Sequence, residues 1–223
     1  MSILNGKIEQ LLSLAVATVA AGVMPAPMEH DPDRDAALRS LAAVAGQQGW
    51  SMEALRAFAG PQADLLFPGG EAELLEAWSD LCDRDMADAM CETDEPRLSG
   101  RVRAALLYRL PADEGRRTAA AKGMSLLLTP QGQVVFRRAW MRSVNALWQA
   151  AQDDSAGVAY VTKRLTLGNI YALSFLYWLA RGQDAAAMAA FVDRQLALVL
   201  RFGRFRAKLA AGRSAAPAGA AAL

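Results

Sequence analysis

Side chains able to carry covalent or metal chemistry are few in this chain. Its one histidine, His30, sits in the polar, proline-flanked stretch "MPAPMEHDPD" (residues 24–33). Its two cysteines, Cys82 and Cys91, make no zinc-ligand set and no disulfide framework, which fits a reducing compartment. A His-based triad or a His-rich metal centre is therefore excluded, no nucleophile motif is present, and the reading is a non-enzymatic protein without metal or cofactor. Attention passes instead to "AYVTKRLTLGNIYALSFLYWLARG" (159–182), which opens with Tyr160, Lys163 and Arg164 and turns into the most aromatic run of the chain. Tyr160 and Arg164 are four residues apart and share a helix face. Beyond Ile170 the segment has almost no polar face, so such a helix enters a core as it proceeds. Its rings serve either as plain core or as the wall of an apolar pocket.

The elements that would position this segment are helical. With 223 residues, 53% hydrophobic and 21% charged, the composition is that of a globular chain with a sizeable core. A net charge of +1 gives no global field to attract nucleic acid. From Asp33 the apolar spacing is helical throughout, with Ala37, Leu38, Leu41 and Val44 on the first stripe, which Gly46 and Gly49 end. Ser51 caps a second helix that closes at Gly60. A short third turn stops at Pro68, and a longer helix over "EAELLEAWSDLCDRDMADAMCE" (71–92), with Leu74, Leu75, Trp78, Leu81 and Met86 inward, follows before Pro96 breaks the pattern. Later segments stop at Pro111 and Pro130, and the next carries Val134, Trp140, Val144, Leu147 and Trp148. No stretch alternates with period two for long enough to form a strand. The expected fold is all-α, about nine or ten helices. Residues 1–32 form an extension or linker, 33–211 a single domain and 212–223 a disordered Ala/Pro tail. "LLSLAVATVAAGVM" (11–24) is too short to span a membrane and has a weak positive flank for a signal peptide. It is read as an extra helix, or as sequence upstream of a start at Met28.

Three short helices before a larger bundle resemble the N-terminal layout of TetR-type regulators, with "AGPQADLLFPGGEAEL" in place of the recognition segment. DNA reading requires cations and amide or hydroxyl side chains at base edges and phosphates. Between Ala57 and Leu81 there is no Lys or Arg, but Asp64, Glu71, Glu73, Glu76 and Asp80 are present. The helix-turn-helix is thus expected to be vestigial and nucleic acid is not an expected partner; a TetR-type, ligand-responsive regulator is the alternative.

A narrower resemblance is carried by "LWQAAQDDSAGVAYVTKRLTLGNIYALSFLYWL". Trp148, Asp153, Ser155, the pair Tyr160–Val161, Thr162, Lys163, Arg164, Leu167, Ile170 and Tyr171 fall where the ubiquinone-biosynthesis accessory proteins, the ninth of the Coq series, have their central motif. Phe191, Asp193 and Arg194 are similar to that family's "F-x-D/E-x-R", and "QGWSMEALR" and "LFPGGEAELLE" resemble its earlier elements. The resemblance implies a TetR-like bundle that holds isoprenoid quinone precursors and presents them to the demethoxyubiquinone hydroxylase, a di-iron enzyme. This chain has no E-x-x-H motif of its own for such a site. It further implies a peripheral protein on the cytoplasmic face of a bacterial inner membrane, or on the matrix side in mitochondria, and leaves homodimerisation open. On that basis Trp140, Met141, Trp148, Ile170, Tyr171, Leu173 and Tyr177 are the candidate lipid-binding residues, and Met124 and Met188 supply adaptable contacts. Tyr160, Lys163 and Arg164 are the candidate partner-binding patch. Arg201, Phe202, Arg204, Phe205, Arg206 and Lys208 are the candidate membrane surface, an ordinary solvated helix end being the alternative.

Overall fold

A computed structural model describes residues 25, 26, 28–152 and 158–214; side-chain surroundings are described for these except 127, 128, 158–162 and 202–214. Every regular element in that range is helical. We number them α1 (Pro32–Gln48), α2 (Met52–Ala59), α3 (Ala63–Leu66), α4 (Gly70–Cys91), α5 (Leu98–Arg109), α6 (Glu114–Gly123), α7 (Pro130–Ala150), α8 (Val158–Arg181) and α9 (Ala185–Ser214). Two 3-10 turns, Gly60–Gln62 and Met124–Leu128, complete the set.

The helix starts follow from local chemistry. The Asp31 carboxylate accepts from the amides of Asp33 and Arg34 ahead of Pro32, which occupies the first helical position of α1. Ser51, Asp113 and Thr129 cap α2, α6 and α7 in the same way. Asp184 accepts from the amides of Ala186 and Ala187 at the start of α9. Gly49 has φ of 81°, a conformation that favours glycine, and its amide closes α1 onto the carbonyl of Ala45.

Several sequence expectations change. Gly46 does not end α1; it lies inside the helix, where a Cβ would come within 2.4 Å of Thr118 Oγ1. It is therefore a point of close approach to α6. Ala45, not Val44, completes the buried stripe of α1. Val134 is exposed and its neighbour Val135 is buried, because α7 turns the former away from α4. α9 continues as one helix through Gly203 to Ser214, past the expected boundary at 211. The apolar run 11–24 and the tail from 215 onward lie outside the described residues.

Two cores form around the long helix α4. The first packs Leu38, Leu41, Leu55, Phe67 and Leu74 from α1 to α4 against Ala119 of α6. The second packs Met86, Leu106, Leu147, Ile170, Tyr171, Trp178 and Met188 from α4, α5 and α7–α9. Trp78 touches both. The residues that carried the resemblance in the first half are building parts. Trp50 donates from Nε1 to the Ala119 carbonyl at 2.8 Å and lies 4.9 Å from Trp78, ring to ring. Phe67 is buried under the Arg34 guanidinium, which also pairs with Glu73 at 2.7 Å. In the second half, Asp193 accepts from Arg103 at 2.6 Å, tying α9 to α5, and Phe191 stacks on Tyr177 at 4.2 Å.

Candidate functional site

In the second core, α4–α8 and the turn Met124–Leu128 enclose an apolar pocket with a cavity volume of about 90 Å³. Three helices each present one stripe to it: Leu75, Trp78 and Ser79 from α4, Phe136, Trp140 and Ser143 from α7, and Tyr171, Phe175 and Trp178 from α8. The spacings of three, four and seven residues keep each set on one helix face. Trp140 stacks on Tyr171 at 4.4 Å and on Phe136 at 5.7 Å. Trp178 is fixed by donation from Nε1 to the Pro111 carbonyl at 2.6 Å. A cavity of about 150 Å³ holds a benzene-sized molecule, so the enclosed space alone is small. It adjoins a surface groove of about 320 Å³ that shares Met124, Phe136, Trp140 and Phe175 with it and continues to Leu176. The four shared side chains form the wall between the two spaces, and Met124 is the most adaptable of them.

The inner side of the pocket is polar. Arg109, 4% exposed, donates from Nε to Asp83 at 2.7 Å and from Nη2 to the Ser79 hydroxyl at 3.0 Å. Asp83, also 4% exposed, accepts from the Ser143 hydroxyl at 2.7 Å. These bonds leave the N–H groups of Arg109 Nη1 outside the network. Burial opposes the Arg109 charge, but the facing oxygens of Tyr171 and Asp83 outweigh it, so its pKa is held above the ordinary guanidinium value. Burial pushes the Tyr171 phenol up, so it keeps its proton at neutral pH. Burial likewise raises the Cys82 thiol and keeps it un-ionised. Among the described residues, no group of three His, Cys, Asp or Glu side chains makes a metal-binding set.

Of the sequence candidates, Trp140 and Tyr171 line the pocket together, and Met124 joins them. The others stand elsewhere. Leu173 is 48% exposed, since two residues from Tyr171 a helix has turned its side chain to the far face. Tyr177 faces α9, Trp148 and Ile170 are in the core away from the cavity, and Met141 is half-buried outside the lining. Lys163 is exposed with its ammonium 5.7 Å from the Trp148 ring. Arg164 is half-buried rather than open to solvent, and the side chain of Tyr160 lies outside the described residues. Arg201 is exposed; the side chains of Phe202, Arg204, Phe205, Arg206 and Lys208 lie outside the described residues. The pocket residues missed from sequence include Phe136, which extends the Trp140 stripe by one turn. Arg109, Ser79, Asp83 and Ser143 gave no signal, because polar residues on amphipathic helices read as surface until tertiary contacts are known.

Four of the five carboxylates in the acidic stretch 57–81, all but Glu71, pair with cations from outside it. Asp64 pairs with Arg56, Glu73 with Arg34, Glu76 with Arg138 and Arg142, and Asp80 with Arg84. The helix in the place of a recognition element, α3, has four residues, and Leu65 on it is 82% exposed. No described helix is long and apolar enough to cross a membrane.

Fold and pocket together define an all-α protein with a small apolar pocket beside a surface groove, aromatic at its sides and polar at its inner end. The family model COQ9 matches residues 135–203, from Val135 in α7 through α8 into α9, and over this span the resemblance read from the motifs is shown to be to that family. The match implies a role in ubiquinone biosynthesis. No curated protein matches the chain.

Proposed function

We propose that this protein is a non-catalytic lipid-binding accessory protein of ubiquinone biosynthesis, which holds an isoprenoid quinone precursor in the α4–α8 pocket and presents it to the demethoxyubiquinone hydroxylase. The observation that carries this reading is the pocket. Aromatic rings from three helices surround space that continues into an apolar groove at the surface. Apolar burial at roughly 25 cal/mol per Å² favours a hydrocarbon tail in such a place. Support for a carrier over an enzyme comes from the side chains at hand: Asp83, Ser79 and Ser143 are hydrogen-bonded to one another and to Arg109 Nε and Nη2. The TetR-like arrangement belongs to the same proposal, with α1–α3 as a vestigial helix-turn-helix. A DNA-binding role is not favoured, because a four-residue α3 without a cation offers nothing to read bases with.

Exposed Leu198 on α9, followed by Arg201, suits contact with a membrane surface. The proposed location is peripheral, on the cytoplasmic face of an inner membrane or the matrix side of a mitochondrial one, with Lys163 and Arg164 near the hydroxylase contact. The test is organic extraction of the purified protein followed by lipid mass spectrometry. Isoprenoid-bearing lipid in near-stoichiometric amount supports the proposal; an extract without such lipid, from protein expressed in a ubiquinone-making host, contradicts it.

A further inference from the structure

The two ends of the pocket differ in chemistry, and the difference sets the direction in which a ligand lies. The outer side, shared with the surface groove, is Met124, Phe136, Trp140 and Phe175. The inner side is Arg109, with the hydroxyls of Ser79, Ser143 and Tyr171. Ser143 already donates to Asp83 and its oxygen lies 3.4 Å from that of Ser79, so the donors left at this end are the Arg109 Nη1 N–H groups and the Tyr171 hydroxyl. An isoprenoid tail driven inward would cover them with hydrocarbon and give them no acceptor, and buried polar groups without partners are costly. A ring oxygen accepts from them.

The charge balance narrows the class of ring. Arg109 is already paired with Asp83 at 2.7 Å, and Ser143 donates to the same carboxylate. The inner end therefore carries no net charge. A carboxylate or phosphate placed there would bring an unbalanced charge to a buried pair that is already neutral, whereas a neutral carbonyl, methoxy or phenol oxygen accepts from Arg109 without adding one. Trp140 and Tyr171 are stacked on one another at 4.4 Å, so a ring meets the exposed edges of that pair rather than a slot between them.

The geometry points to a headgroup-first orientation: a neutral, oxygen-bearing quinone or phenol ring seated against Arg109, Ser143 and Tyr171, with its isoprenoid tail running outward over Phe136, Phe175 and Leu176. This rests on the lipid-binding reading above and adds the orientation and the polarity of the ligand. It also makes the polar inner end, rather than the apolar wall, the part that tells a quinone precursor from other isoprenoids.

Calorimetric titration of the full chain with two probes tests the orientation. One is 2,3-dimethoxy-5-methyl-1,4-benzoquinone carrying two isoprene units. The other is myrcene, a hydrocarbon of two isoprene units without oxygen. The quinone should bind about tenfold or more tightly than the hydrocarbon, as expected where a site's donors are left unpaired by the wrong ligand. Tyr171→Phe keeps the stacked ring and removes only the hydroxyl; it should weaken the quinone about threefold or more and leave myrcene unchanged. Equal affinity for both probes, or a Tyr171→Phe variant that weakens both alike, overturns the orientation and leaves lipid binding standing. Failure of both probes to bind the folded protein overturns both proposals.

Discussion

The two cores on either side of Trp78 use the same residue types for different ends. In the first, Trp50 gives its indole N–H to a backbone carbonyl, its ring fills the space beside Trp78, and the guanidinium of Arg34 is spent on Phe67 and Glu73. In the second, Trp140 borders open volume, and Arg109 keeps donors beyond those it uses on Asp83 and Ser79. Both regions bury aromatics and arginine. The difference is placement: in the second core the ring and the guanidinium border an open pocket, and in the first both are engaged by neighbouring side chains and backbone.

The comparison can be broken most sharply at the buried ion pair. Asp83→Ala leaves Arg109 charged and unpartnered inside the second core, and should cost about 3–5 kcal/mol in chemical denaturation. A loss under about 1 kcal/mol would mean that water reaches this end of the pocket. In the first core, Leu55→Ala removes a fully buried side chain from a filled space and should cost about 2–5 kcal/mol. No effect on lipid retention in the surviving folded protein is expected there. Ala139→Leu, on the pocket wall, should do the opposite: stability within about 1 kcal/mol of the parent, because the added methyls enter existing space, and loss of co-purifying lipid. Should Ala139→Leu destabilise as much as Leu55→Ala, the two regions would be equally packed and the contrast would fail.

The smallest effect concerns pH. Hydrogen bonding to Arg84, stronger than the opposing effect of burial, holds the Asp35 carboxyl below its ordinary value. Its contribution is then complete above the unfolded carboxylate pKa, about 3.9, and is lost as pH falls through the lower folded value. Asp35→Asn should flatten the acid limb of a stability–pH profile and leave that limb's shape unchanged above about pH 6. An unchanged acid limb would remove Asp35 from the account.

Much of the fold was legible because its signals are local. Ser51, Gly49 and Pro130 mark helix ends through their own backbone and side-chain chemistry, and the apolar spacing of α1 and α4 fixed which faces turn inward. Gly46 was misread for the same reason: as a local signal it ends a helix, and only the approach of Thr118 from α6 shows why it stays inside one. The site was legible in part. The segment 159–182 drew attention by composition, and Tyr171 does line the pocket. Choosing Leu173 and Tyr177 over Phe175 and Trp178 ignored the helical period, which carries the pocket face from 171 to 175 and 178. Arg109, 26 residues from Asp83 in the chain, had no local signature, and a buried pair of that kind becomes visible only when α4 and α5 are set side by side.

The central claim, that the α4–α8 pocket takes an oxygenated isoprenoid ring against Arg109, is tested most directly by a crystal structure with a ring-brominated, short-chain isoprenoid quinone. The account predicts one anomalous bromine peak inside the space bounded by Trp78, Trp140 and Tyr171, with a ring oxygen within hydrogen-bonding distance of Arg109 or Tyr171. Bromine found only at the surface groove with the tail inside, or no ordered bromine in protein shown to bind the compound, would contradict it.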